Sequence, residues 1–69
     1  MSTTEVDALV RSVIVQFGLP FKLLSVVASA TGWDINVRAG TGEIVSFPLS
    51  EGRPVAMRVA IQEKLEAQF

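Results

Sequence analysis

The chain opens on a helical period. Val6, Leu9, Val10, Val13 and Phe17 recur at steps of three and four residues and form one apolar stripe, with Asp7, Arg11 and Ser12 lying off it. Both ends of this predicted helix are marked. Ser2 and Glu5 stand at capping-box spacing, where a hydroxyl and a carboxylate each satisfy a free backbone N–H. Gly18 suits the left-handed residue that closes a helix, and Pro20 prevents its continuation.

The period then falls to two. Trp33, Ile35 and Val37 alternate with Asp34, Asn36 and Arg38, the pattern of a strand buried on one side. Ala39-Gly40-Thr41-Gly42 reads as a turn with two glycines able to take positive φ. Val45, Phe47 and Leu49 line one face of a returning strand, and Pro48 cannot donate to a ladder, which places that strand at a sheet edge or the proline close to its end.

The segment from Phe21 to Ala30 fits either period. As a strand it sets Leu24, Val26, Ala28 and Ala30 on one face, against Leu23, Ser25, Val27 and Ser29 on the other. As a helix it groups Leu23, Leu24, Val27 and Ala28. The strand reading is preferred because a lone two-stranded hairpin is marginal. After the loop Ser50-Glu51-Gly52-Arg53, Pro54 suits the first residue of a final helix running toward Phe69. Met57, Ala60, Ile61 and Leu65 share one face of it, while Val55 and Val59 point well away. The expected fold is α+β in one domain over residues 1–69. It runs helix, three-stranded antiparallel meander, helix, with both helices on one sheet face and only two strands if 21–30 is helical.

Composition sharpens this outline. In 69 residues there is no cysteine and no histidine, so neither a disulfide frame nor a thiolate or imidazole metal site can be built. So short a chain buries only about 60% of its unfolded surface, and small domains compensate with staples or association. Hydrophobic residues make up 49% of it and charged residues 19%, against about 25% in ordinary domains. Too few charges remain to cover the surface, so some apolar side chains are expected to face a partner. The absence of a basic leader and of a long apolar stretch gives the expectation of a soluble, cytoplasmic protein with no membrane contact.

Charge and side-chain chemistry narrow the function classes. Lacking histidine, cysteine and tyrosine, the chain has no usual general base, thiol or phenol, and the expectation is of no enzyme and no cofactor. A carboxylate pair remains conceivable if Asp34 and Glu43 meet across the hairpin, with two solvated acids as the plainer reading. Arg38-Ala39-Gly40-Thr41-Gly42-Glu43 has glycines like a phosphate loop but precedes a strand, so a hairpin turn is the better reading. Asp34-Ile35-Asn36 has no calcium loop after it, so no metal is expected. Trp33 reads as core or interface packing in preference to a ligand-stacking platform.

Three partner classes follow. Leu23 to Trp33 carries no charge and no proline, so as an edge strand it would be open to pairing with a second copy. Leu24, Val26, Ala28, Val55 and Val59 are the residues expected to make such a contact, in a homodimer or a larger protein assembly. The alternative is nucleic acid. Helix, three-stranded meander, helix is the topology of double-stranded-RNA-binding domains, which read shape and phosphates. The likeness is one of topology alone: the final helix starts Arg53-Pro54-Val55-Ala56-Met57-Arg58, without the lysine-rich run of those domains. Arg38, Arg53 and Arg58 would be the phosphate contacts, although a net charge of −1 is far from a basic footprint. A small-molecule pocket between sheet and helices is the third class.

Overall fold

Five elements account for most of residues 2–68, the part that the structure, a computed structural model, describes. They are α1 (Thr3–Gln16), β1 (Phe21–Ser29), β2 (Gly32–Ala39), β3 (Ile44–Ser50) and α2 (Pro54–Glu66). The strands form one antiparallel sheet in the order β1-β2-β3, and both helices pack on the same face of it.

Helix α1 begins and ends as its sequence dictates. The Ser2 hydroxyl accepts from the Glu5 N–H at 3.2 Å, and the Glu5 carboxylate accepts from the Ser2 N–H at 3.0 Å. That second bond holds the Glu5 carboxyl below its usual range. At the other end Gly18 has φ +60°, the Gly18 N–H donates to Val15 O, and the Leu19 N–H donates to Ile14 O at 3.0 Å. This is a Schellman closure, in which glycine takes the left-handed position without the penalty of a Cβ. Val6, Val10 and Val13 are fully buried, but Phe17 is 43% exposed. Phe17 is the C-cap, where the backbone has already left the helix, so the stripe ends one turn earlier than its spacing suggested.

The segment 21–30 is a strand up to Ser29, but not a regular one. Leu23 is opposite Val37 and Ser25 is opposite Asn36, so Leu24 is an extra, unpaired residue in a β-bulge. The bulge corrects the simple alternation. Phe21 and Leu23 before it, and Val26 and Ala28 after it, all share the helix-facing side. The inner face therefore carries three rows across all three strands, Leu23–Val37–Val45, Val26–Ile35–Phe47 and Ala28–Trp33–Leu49, and a fourth, Phe21–Ala39, across two. Against these pack Val6, Val10 and Val13 of α1 and Met57, Ile61 and Leu65 of α2. No polar or charged residue is buried among the described residues.

Two glycines are demanded by the turns. Gly42 has φ +91° in the β2–β3 turn, whereas Gly40 does not use positive φ and donates its N–H to Pro20 O at 2.9 Å. Gly32 opens β2 with φ +156°, and a Cβ there would stand 2.1 Å from Leu49 O. Strand β3 is an edge, and Pro48 also lies near its end, so both positions open to a proline apply.

Gly32→Ala is expected to cost on the order of 3 kcal/mol in urea unfolding, since both the neighbouring β3 backbone and the turn would have to move; a loss below about 1 kcal/mol would mean the approach is not as close as described. Deletion of Leu24 makes the opposite kind of test. Removing the bulge residue leaves Leu23 inward, Ser25 outward and Val26 inward in a regular strand. The shortened chain should keep the far-UV circular dichroism of the full one, and a collapse of that spectrum would contradict the bulge.

Candidate interaction surface

The solvent side of the helix layer carries the two most exposed large apolar side chains, Val15 and Val55, together with Val59 on α2. Val15 on α1 is 80% exposed, and on α2 Val55 is 75% and Val59 48% exposed. Helical spacing explains why. With Met57, Ile61 and Leu65 turned inward, Val59 falls on the far side of α2 and Val55 on its flank, and Val15 stands likewise opposite Val6, Val10 and Val13. Val55 and Val59 are thus placed as their sequence positions implied. Val15 was not singled out by the stripe, although drawing α1 as a wheel would have isolated it as an apolar residue on a polar face.

Arg58 organises this surface. Its guanidinium donates to the Ser12 hydroxyl at 3.0 Å and to the Gln16 side-chain oxygen, so it spans from α2 to α1. Val55 precedes it by one helical turn, Val59 follows it directly, and Val15 is the neighbour of Gln16. The bridge fixes a long, flexible side chain between two helices that carry three exposed valines. Arginine held in advance costs less entropy on contact, and interfaces are enriched in it. Asp7 and Arg11 form a separate 2.7 Å ion pair on the α1 surface.

The expected β1 contact residues do not make one surface. Leu24, at the bulge, is exposed, whereas Val26 packs against the core. Ala28 is exposed on the inner side near the end of the sheet, in a depression shared with Ser2, Thr3, Thr31, Trp33 and Glu51. The bulge is itself a device that blunts an edge against pairing, because it bends the strand and breaks its ladder. The pairing of β1 with a second copy thus loses part of its geometric basis, and the helix layer gains in its place.

The other candidate groups are scattered by the topology. Arg38 lies on the outer sheet face, opposite Lys22 and Ile44, whereas Arg58 belongs to the helix layer on the other side. Arg53, the N-cap residue of α2, follows Ser50 by three residues, and Ser50 pairs with Gly32, which lies six residues of β2, about 20 Å at ~3.3 Å per residue, from Arg38. The three arginines form no common phosphate-contacting patch. Asp34 and Glu43 are likewise kept apart: Asp34 pairs with Pro48, while Glu43 sits in the far turn, where its O accepts from the Ala39 N–H. A separation of five residues along β2, roughly 16 Å, is too great for a carboxylate pair acting on one bond. Trp33 is buried in the core. Val10, Ile35, Val37, Met57 and Ile61 stand fully buried between sheet and helices, in the space a small-molecule pocket there would take.

The outer sheet face is left uncovered by the helices. Its middle row is a hydrogen-bonded ladder, with the Asn36 amide donating to the Ser25 hydroxyl at 3.0 Å and the Ser46 hydroxyl donating to the Asn36 carbonyl oxygen. Among the described residues no group of three or more acids is placed to hold a metal ion, and no helix is long and apolar enough to cross a membrane. No family model matches the chain, and no curated protein and no solved structure matches it either.

Replacing Arg58 with alanine is expected to lower stability by about 1 kcal/mol, read by urea denaturation, since two exposed hydrogen bonds between helices are lost together. No change at all would mean that the bridge is not maintained in solution.

Proposed function

We propose that this chain is a non-enzymatic protein-interaction module that associates with a second copy of itself through the outer side of its helix layer. One observation carries the reading: Val15, Val55 and Val59 stand in solvent on the two helices that Arg58 bridges, on a chain short of charged side chains. A valine fully buried on contact contributes about 1.5–3 kcal/mol, so three from each copy offset much of the cost of bringing two bodies together. A two-fold arrangement suits such a patch, because it lets one apolar surface meet its own twin.

Sedimentation equilibrium over a range of concentrations tests this. In high salt, where a contact driven by apolar burial persists, the average mass of the native chain should rise with concentration toward that of two copies. The double variant V55E/V59E should shift the curve toward the monomer by at least tenfold in concentration while leaving the far-UV circular dichroism unchanged, because both positions are exposed. A native chain that stays strictly monomeric would end the proposal.

A further inference from the structure

The open face of the sheet offers a second surface with its own charge pattern. Reading across the strands, one exposed row is Lys22–Arg38–Ile44, the next is Ser25–Asn36–Ser46, and the third is Val27–Asp34–Pro48. Two cations thus stand directly opposite each other at one end of the face, an arrangement that is unfavourable within one molecule. Asp34 stands at the other end. Among the described residues none of the Lys22, Arg38 and Asp34 side chains has a hydrogen bond or ion pair, and Ile44 and Val27 at the corners are 58% and 53% exposed.

This pattern is self-complementary in one orientation only. Let a second copy be laid on the face by a two-fold axis that lies in the contact plane and crosses the strands at Asn36. The row 22–38–44 of each copy then covers the row 27–34–48 of the other. Arg38 meets Asp34, Ile44 meets Pro48, and the Lys22 stem covers Val27. The other face-to-face two-fold, running along β2, would set Arg38 on Arg38 and Asp34 on Asp34. A shallow depression lined by Val27, Asp34, Asn36, Ser46 and Pro48 gives the incoming Arg38 side chain a place to enter. Two sheets stack at about 10 Å, a gap that side chains from both faces fill.

We infer that the open sheet face is a second self-contact, in which two copies stack face to face and the Arg38 of each pairs with the Asp34 of the other. It lies on the opposite side of the molecule from the helix layer and does not depend on that contact. A three-stranded face offers only about 350 Å² of footprint per copy, from the ~4.8 Å strand spacing and ~3.3 Å rise. That is less than half the ~800 Å² per partner of a standard stable complex, so the contact forms at high concentration and fails in high salt.

The experiment is sedimentation equilibrium of the V55E/V59E chain, which isolates the sheet contact from the helix-layer contact. At low salt this chain should still reach the mass of two copies at high concentration. R38D or D34R added singly should each abolish that dimer, and R38D with D34R together should restore it. Both side chains are exposed and unpaired, so the fold is expected to persist in every variant. A strictly monomeric V55E/V59E chain would overturn the inference, as would single reversals without effect or a double reversal that stays monomeric. If V55E/V59E instead leaves the native mass curve unchanged, the helix-layer reading fails and the sheet contact is judged by the charge reversals alone.

Discussion

The contact between one sheet face and the inner sides of two short helices is what the rest of this structure depends on. With both helices on the same side, there is a single interior, and it is filled from three rows of the sheet, the Phe21–Ala39 pair and three residues of each helix. A strand in such a body must keep its apolar side chains on one face along its whole length. In β1 the sequence does not alternate cleanly enough for that. Phe21 and Leu23 are in one phase, and Val26 and Ala28 are in the other. The bulge at Leu24 reconciles the two phases by spending one residue without a partner, because a one-residue shift moves every later side chain to the opposite face.

A one-sided core also explains where the apolar surplus goes. Nearly half of the chain is hydrophobic, yet the space between one sheet and two helices holds only part of it. The remainder stands on the two outer surfaces, and these differ in kind. The helix layer presents exposed valines and an arginine that is already tethered to the neighbouring helix. The sheet presents a hydrogen-bonded polar ladder flanked by opposite charges, with apolar residues at its corners. The first is suited to contact driven by burial of apolar area, and the second to contact directed by charge.

Most of the fold was legible because its signals are local. The capping pair Ser2 and Glu5, Gly18 after α1, the alternation from Trp33 to Arg38 and Pro54 at the start of α2 each act within a few residues of their own position. The same holds for Val55 and Val59, whose exposure follows from helical spacing once Met57, Ile61 and Leu65 are buried. The surface groupings were less legible. Leu24, Val26 and Ala28 look equivalent by period two, and nothing in the residues themselves announces that one of them has no partner across the strand. Arg38, Arg53 and Arg58 look like a set in the sequence, but membership of a patch depends on which layer and which end of the sheet each occupies.

The sequence by itself determined the order of elements, their caps and turns, the α+β class and the excess of apolar over charged side chains. These are properties of backbone preference and short-range spacing, which do not need the fold to be known. Only the tertiary structure decided that β1 carries a bulge and that Arg58 bridges to Ser12 and Gln16. It also decided that Gly32 lies against the β3 backbone, and that Arg38 and Asp34 occupy opposite ends of one open face. The reason is that each of these is a relation between residues from different elements, set by register and packing angle, and both are fixed only when the elements meet.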